Sequence, residues 1–297
     1  RVIACTLTGS AHHLLTGRRF GTLFIDEAAQ ALEASCWIAI QKADRVILAG
    51  DHRQLPPTVK SPAALSGGLD KTLMQTICEN KPRCVSMLTV QYRMADDIMQ
   101  FPNQEFYDGL LQSDPGVKYR GILDWDTAVE WVEAGGEESP PFRFPFEEGE
   151  TLASDGLSRI NPVEAELALQ TLHDYIERIG KDRILYERLD IGIISPYKGQ
   201  VHLLRKMLRK DSYWKPLRHL ISINTVDGFQ GQERDIILIS MVRQNEQGQV
   251  GFLADLRRMN VAITRARMKL IIIGHSPTLC RHPFYRRLKQ YIDNLWE

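Results

Sequence analysis

Two adjacent carboxylates, Asp26 and Glu27, close the apolar run Leu23-Phe24-Ile25 and lead into Ala28-Ala29-Gln30. An aspartate so placed can hold Mg²⁺ through water, and a glutamate beside it can polarise an attacking water. Both tasks belong to phosphoanhydride hydrolysis. A solvated Asp-Glu turn after a strand fits these residues equally well. A second polar cluster follows the run Val46-Ile47-Leu48-Ala49, as Gly50-Asp51-His52-Arg53-Gln54-Leu55-Pro56-Pro57. Gln54 carries an amide that both donates and accepts, which suits sensing of a terminal phosphate. Upstream, Thr6 and Thr8 offer hydroxyls that can bond a nucleic-acid phosphate or, more simply, cap the next helix.

The elements that must present these groups are short. Val2–Thr6, Thr22–Asp26 and Arg45–Gly50 read as strands, the last two as buried parallel ones, and Ala31–Ala43 is apolar at helical spacing. Buried parallel strands deliver their last residues to the carboxyl edge of a sheet, where open α/β folds hold ligands. Pro56 and Pro57 stiffen the exit from the second loop.

At this point the residues resemble a family. Asp26-Glu27-Ala28-Ala29-Gln30 and Gly50 to Pro57 are similar to motifs II and III of superfamily 1 helicases. The nearest likeness is to the branch of the nonsense-mediated-decay RNA helicase and the Okazaki-processing DNA helicase-nuclease. The resemblance implies that Asp26 binds Mg²⁺, Glu27 is the catalytic base, and Gln54 contacts the γ-phosphate of ATP. It also implies that Thr6, Thr8 and Pro56 touch a nucleic-acid strand.

Later motifs extend it. Gln91-Tyr92-Arg93-Met94 resembles motif IV: Tyr92 offers a flat ring for adenine, and Arg93 a planar fork for phosphate. Asp190–Ser195 reads as a strand and Pro196-Tyr197-Lys198 opens a helix to Lys210, with Val201, Leu204 and Leu208 facing in. His202, Arg205, Lys206 and Arg209 spread a basic face, which is ordinarily only solvated. The family places Pro196, Tyr197 and Lys198 on a nucleic-acid path. Thr225-Val226-Asp227-Gly228-Phe229-Gln230-Gly231-Gln232-Glu233 resembles motif V, which implies a strand contact for Thr225 and nucleotide contacts for Gly231 and Glu233. Asn260 to Arg267 resembles motif VI, which implies that Arg265 is an arginine finger; Arg267 reads more simply as a helix-surface cation. A helix from Asn161 to Gly180, strands Ile236–Met241 and Lys269–Gly274, and an amphipathic helix from His282 to Trp296 complete the pattern.

The 297 residues suffice for two domains, and 43% hydrophobic with 25% charged residues is a globular balance. The expected fold class is α/β, with two RecA-like parallel-sheet domains, residues 1–87 and 88–297, and ATP between them. The first is expected to be truncated at its N-terminus. Residues 114–158 read as an acidic, irregular excursion: from Glu130 to Asp155 eight acids face Arg143 alone. Trp125, Trp131, Phe142, Phe144 and Phe146 suggest that it packs on something, and its acids that it meets a protein partner. From Arg178 to Arg218, by contrast, eleven Lys and Arg face four acids.

Five cysteines without a Cys-x-x-Cys pair argue against zinc or a disulfide framework and for an intracellular home. No run is long enough to span a membrane. A phosphate loop, Gly-x-x-x-x-Gly-Lys-Ser/Thr, is not found; Gly180-Lys181 precedes Asp182, and Tyr175 stands where the first glycine belongs. That segment is expected before Arg1, and without it the chain is not expected to hydrolyse ATP unaided. The reading is therefore part of an ATP-driven helicase acting on single-stranded DNA or RNA, with 5′-to-3′ polarity implied by the branch. A strand-binding module or a protein scaffold without hydrolysis is the alternative.

Overall fold

A computed structural model describes residues 2–135, 150–153, 156 and 158–295. The chain divides into two compact units, Arg1–Met87 and Leu88–Glu297. The first holds β1 (Leu23–Ile25), α1 (Glu33–Ile40), β2 (Val46–Leu48), α2 (Pro62–Ser66) and α3 (Leu73–Asn80). β1 and β2 pair in parallel, Leu23 opposite Val46 and Ile25 opposite Leu48. Its core is small: Ile25, Ala28, Cys36 and Leu73, with half-buried neighbours such as Met74 and Ile77.

Two expectations fail in this unit. Residues 2–6 form no strand, and Val2 is 97% exposed. Among the described residues no strand pairs with them, so the β-branched residues gain no cross-strand packing. β1 is also not fully buried, for Phe24 is 70% exposed. A sheet of two strands leaves one face of β1 uncovered here.

The second unit opens with β3 (Val90–Gln91), α4 (Asp96–Phe106), β4 (Gln112–Ser113), α5 (Pro115–Lys118), β5 (Val129–Glu133), β6 (Thr151–Leu152) and β7 (Arg159–Ile160). It continues with α6 (Pro162–Ile179), α7 (Lys181–Glu187), β8 (Ile191–Ser195), α8 (Lys198–Lys210), β9 (Ile221–Thr225) and β10 (Arg234–Ser240). It ends with α9 (Leu256–Ile263), β11 (Ala266–Gly274), α10 (Ser276–Leu279) and α11 (Pro283–Asn294). Five strands make one parallel sheet in the order β5-β11-β10-β8-β9. Its inner strands are isoleucine-rich buried runs, Ile191 to Ile194, Ile236 to Ile239 and Leu270 to Ile273, because helices cover both faces. At Gly192 a Cβ would come within 2.6 Å of Ile237 Cδ1 and 2.9 Å of Phe229, so only glycine lets those side chains cross β8.

α6 shows how local signals set an element. The Asn161 side chain accepts the Glu164 N–H at 3.0 Å, Pro162 takes the first turn, and Gly180 ends the helix at φ 91°. Leu167, Leu172 and Ile176 then bury its inner side beside Ile193 and Ile271.

The stretch read as an irregular excursion is a correction. Its residues 129–133 are β5, the edge strand paired to β11 from Val129–Leu270 to Glu133–Gly274. The acids that suggested an exposed loop are used internally. Glu130 pairs with Lys269 at 3.1 Å, Glu133 accepts the Ser276 N–H at 2.7 Å, and Glu150 pairs with Arg159 and Arg243. Trp131 is half-buried on β5, but Trp125 is fully exposed at φ 64° and packs on nothing among the described residues. Phe142, Phe144, Phe146 and the remaining acids of residues 136–149 lie outside the described residues, as does Trp296. Among the described residues no helix is long and apolar enough to cross a membrane.

Candidate functional site

In the first unit, β1 delivers Asp26 and Glu27 to the surface. Glu27 sits in the left-handed region at φ 50°, ψ 37°, a conformation that costs a non-glycine residue on the order of 1 kcal/mol. The turn is held by its neighbours. The Glu27 N–H donates to Asp26 Oδ1 at 3.0 Å, and the Ala28 N–H donates to the Ala49 carbonyl at 2.8 Å. Gln30 Nε2 donates to Glu27 Oε2 at 2.6 Å, which aims the carboxylate.

Gly50 locks the second loop onto this turn: its φ is 155°, and a Cβ there would stand 3.1 Å from the amide nitrogens of Ala28 and Ala29. Asp51 then orients the glutamine, accepting from Gln54 Nε2 at 2.9 Å and from the Arg53 N–H at 2.9 Å. The carboxylates of motif II and the amide of motif III are thus fixed on one small frame.

Whether Mg²⁺ fits can be tested on this frame. Asp26 spends one oxygen on the Glu27 N–H, and no Lys or Arg pairs with it among the described residues. No group of three metal-binding side chains gathers there either. A single carboxylate, with water and phosphate completing the shell, is the usual manner in which protein holds Mg²⁺ beside a nucleotide. The residues therefore fit the ion.

Thr6 Oγ1 accepts the Gly9 N–H at 3.0 Å and lies 3.4 Å from Thr8 Oγ1. The Thr6 hydroxyl thus serves the turn and that of Thr8 meets only Thr6 among the described residues, and both residues remain exposed. Pro56 is half-buried beside the buried Leu55.

In the second unit, Tyr92 presents a ring that is 68% exposed. Arg93 beside it is tied down: Nε donates to Glu233 Oε2, and Nη1 to the Thr264 carbonyl at 3.0 Å. Glu233 is saturated, because Arg267 donates to its other oxygen at 2.6 Å and 2.8 Å. Burial alone raises its pKa, but the guanidiniums of Arg267 and Arg93 outweigh this and hold it below the usual range. Gly231, two residues earlier, is exposed and left-handed at φ 72°.

Motif VI differs from expectation in one residue. Arg267 is not a helix-surface cation: α9 ends at Ile263, and Arg267 lies in β11, bridging Glu233 and Asp235. A helical reading carried through Arg267 misses the two-residue turn at Thr264-Arg265. Arg265 itself is 3% exposed. Its Nε donates to the Val261 carbonyl at 3.0 Å and Nη1 to the Gln232 carbonyl at 3.3 Å, which staples the motif V loop to the end of α9.

Tyr197 is a further correction. It is 4% exposed, its hydroxyl accepts from Arg243 Nη1 at 3.3 Å, and its ring lies 5.5 Å from that of Phe252. It supports the loop from beneath, so the surface there is left to Pro196, half-buried, and Lys198, exposed. Thr225, the half-buried last residue of β9, has its N–H bonded to Asn224 Oδ1 at 2.9 Å.

Sequence reasoning missed the polar core beneath this edge. Glu164 is fully buried, and its Oε1 accepts from Ser240 Oγ at 2.6 Å and from the Val242 N–H at 2.7 Å. Those bonds hold Val242 at φ 71°, which a β-branched residue normally avoids. Its neighbour Arg243, 3% exposed, is thereby aimed at Tyr197 and Glu150. Burial pushes the Glu164 carboxyl up to about 7, against the hydrogen bonds that pull it down.

Because its folded pKa is raised, the stability it lends is complete below its unfolded pKa of 4.5 and fades as pH rises to about 7. That rise corresponds to about 3 kcal/mol. Glu164→Gln should remove this dependence. Urea unfolding of both forms across this window checks it, and parallel curves would rule it out.

Residues 69–277 match the family model of an AAA domain, and residues 1–62 match a second model of the same description. The chain belongs to this AAA-domain family, within superfamily 1 helicases of the branch recognised from its motifs. It is 38% identical over 299 residues to an uncharacterized ATP-dependent helicase of Methanocaldococcus jannaschii, covering 100% of this chain and 42% of that protein. It is 39% identical over 303 residues to the DNA-binding protein SMUBP-2 of Mesocricetus auratus, covering 98% and 29%. With helicase sen1 of Schizosaccharomyces pombe the figures are 38% over 281 residues, 94% and 16%. The chain spans less than half the length of each of these relatives.

Proposed function

We propose that a protein carrying this chain couples ATP hydrolysis to 5′-to-3′ movement along single-stranded DNA or RNA. The observation that carries the reading is the motif II turn, where Glu27 is held in a left-handed backbone and aimed by Gln30 beside Asp26. Strain of this kind persists where neighbours over-determine it, and it concentrates at active sites. Glu27 takes the proton of the attacking water, and Gln54, oriented by Asp51, reads the terminal phosphate. Asp26 would hold Mg²⁺, which supplies positive charge beside the phosphates when bound.

Tyr92 offers its exposed ring to the base. Arg93 and Glu233 neutralise each other. A phosphate that draws away the guanidinium releases a carboxylate oxygen for a ribose hydroxyl next to Gly231. Arg265 supports the same loop and supplies the second arginine of the site. Thr6, Thr8 and Pro56 of the first unit and Pro196, Lys198 and Thr225 of the second contact the strand; Tyr197 supports only the loop that carries Pro196 and Lys198. The printed names of the relatives, helicases and a DNA-binding protein, support this assignment. All five cysteines are free thiols, in keeping with work inside the cell.

ATP turnover of the protein is expected to rise when single-stranded DNA or RNA is added. A rate that ignores both would overturn the reading.

A further inference from the structure

The basic face of α8 leads into a groove along β9. Two adjoining hollows of about 430 and 470 Å³ share Arg205 and Arg209. One is lined by His202, Lys206 and Lys210, the other by Arg218, Asn224 and Gln232 among others. Among the described residues no Asp or Glu lines either hollow.

The charge here is uncompensated. Elsewhere in this unit Arg93, Arg243, Arg257, Arg267 and Lys269 each pair with a carboxylate. None of Arg205, Lys206, Arg209, Lys210 and Arg218 does so among the described residues. Two are fixed instead by neutral acceptors. Arg205 Nε donates to the Ile223 carbonyl at 3.1 Å, and Arg218 Nη2 to the Arg209 carbonyl at 2.6 Å, so their charge stays in the groove. Asp211, the acid next to Lys210 in the chain, is turned toward the Tyr213 N–H at 2.9 Å.

An edge strand invites two kinds of occupant, an added β-strand or a chain of anions. The main chain of β9 argues against the first. The Ile221 N–H is taken by the Arg218 carbonyl at 3.4 Å, the Ile223 carbonyl by Arg205, and the Thr225 N–H by Asn224. An edge so blunted offers a poor ladder to another strand. Unpaired cations along a concave track suit a sugar-phosphate backbone. The groove also ends beside Asn224, next to Thr225.

We propose that the α8–β9 groove is a second phosphate track, holding the backbone of a bound nucleic acid beyond its contact with Thr225. This rests on the nucleic-acid function proposed above. The test uses the chain with Lys206, Arg209 and Lys210 all changed to Gln; Arg205 and Arg218 are left alone because they brace β9 and the end of α8. Binding of a fluorescent single-stranded oligonucleotide, long enough to pass both Thr225 and the groove, is followed against salt.

Each lost phosphate contact on a single strand flattens log K against log salt by about 0.7, so the triple variant should be shallower by about 2. Thr225→Ala should weaken binding and keep the slope, since it carries no charge. Triple-variant binding with the wild-type slope overturns the track and leaves the wider function standing. A wild-type chain that binds no strand overturns both. Polyglutamate bound as tightly as the oligonucleotide, and lost equally in the variant, overturns the track in favour of an acidic protein.

Discussion

Glu27→Gln is expected to lower the ATP turnover of a protein carrying this chain about 10²–10⁴-fold, the range for loss of a general base, with nucleotide affinity kept. The amide has nearly the shape of the carboxylate, and its oxygen can still accept from Gln30, which now lies 2.6 Å from Glu27 Oε2. The left-handed backbone is equally available to Gln, so the turn against Ala49 and Gly50 should survive. Only the capacity to take a proton is lost. Phosphate release and binding of a fluorescent ATP analogue, measured on the same preparation, separate the two effects. Undiminished turnover would remove Glu27 from the role of base.

Lys269→Met is expected to destabilise the second unit by about 3–5 kcal/mol, the cost of stripping one partner from a buried pair. The amine is 1% exposed, 3.0 Å from Asp126 and 3.1 Å from Glu130, and it donates to the Thr127 carbonyl at 2.8 Å. Methionine fills the same space but leaves Asp126 buried, with only the Tyr175 hydroxyl at 2.7 Å and Arg178 at 3.5 Å among the described residues to answer its charge. Adding Asp126→Asn to Lys269→Met should recover part of the loss, because the orphaned charge goes with it. Denaturant midpoints of the two variants decide the matter. A cost under about 1 kcal/mol for Lys269→Met, the level of an exposed pair, would show that the amine is not needed where it lies.

What could be read in advance follows the range of the interactions involved. The motif II turn and α6 are written in consecutive residues, and so are the inner strands β8 and β10, with caps, glycine stops and β-branched runs all local. β5 escaped because its edge position lets Glu130 and Glu133 face partners on β11 and α10, more than a hundred residues away. Local acidity therefore looked like a loop. Arg267 escaped because its task lies in bonds to Glu233 and Asp235, across a turn that helical spacing does not reveal. Tyr197 was placed on the surface by its company, Pro196 and Lys198, yet its hydroxyl answers Arg243, 46 residues on. Glu164 carried no signal, since one acid in an amphipathic helix normally faces water.

The sheet order has a consequence for how the chain is made. Among the described residues β5 is paired by β11 alone, and β11 lies between β5 and β10. More than a hundred residues separate Glu133 from Ala266. At ribosomal speeds β5 must wait on the order of ten seconds for its partner. Until then the flank of β10 that β11 will occupy is also open. During synthesis the nascent second unit thus exposes an unpaired β5 and an open edge on the apolar β10, a natural point for chaperone capture or for misassembly with a neighbouring chain.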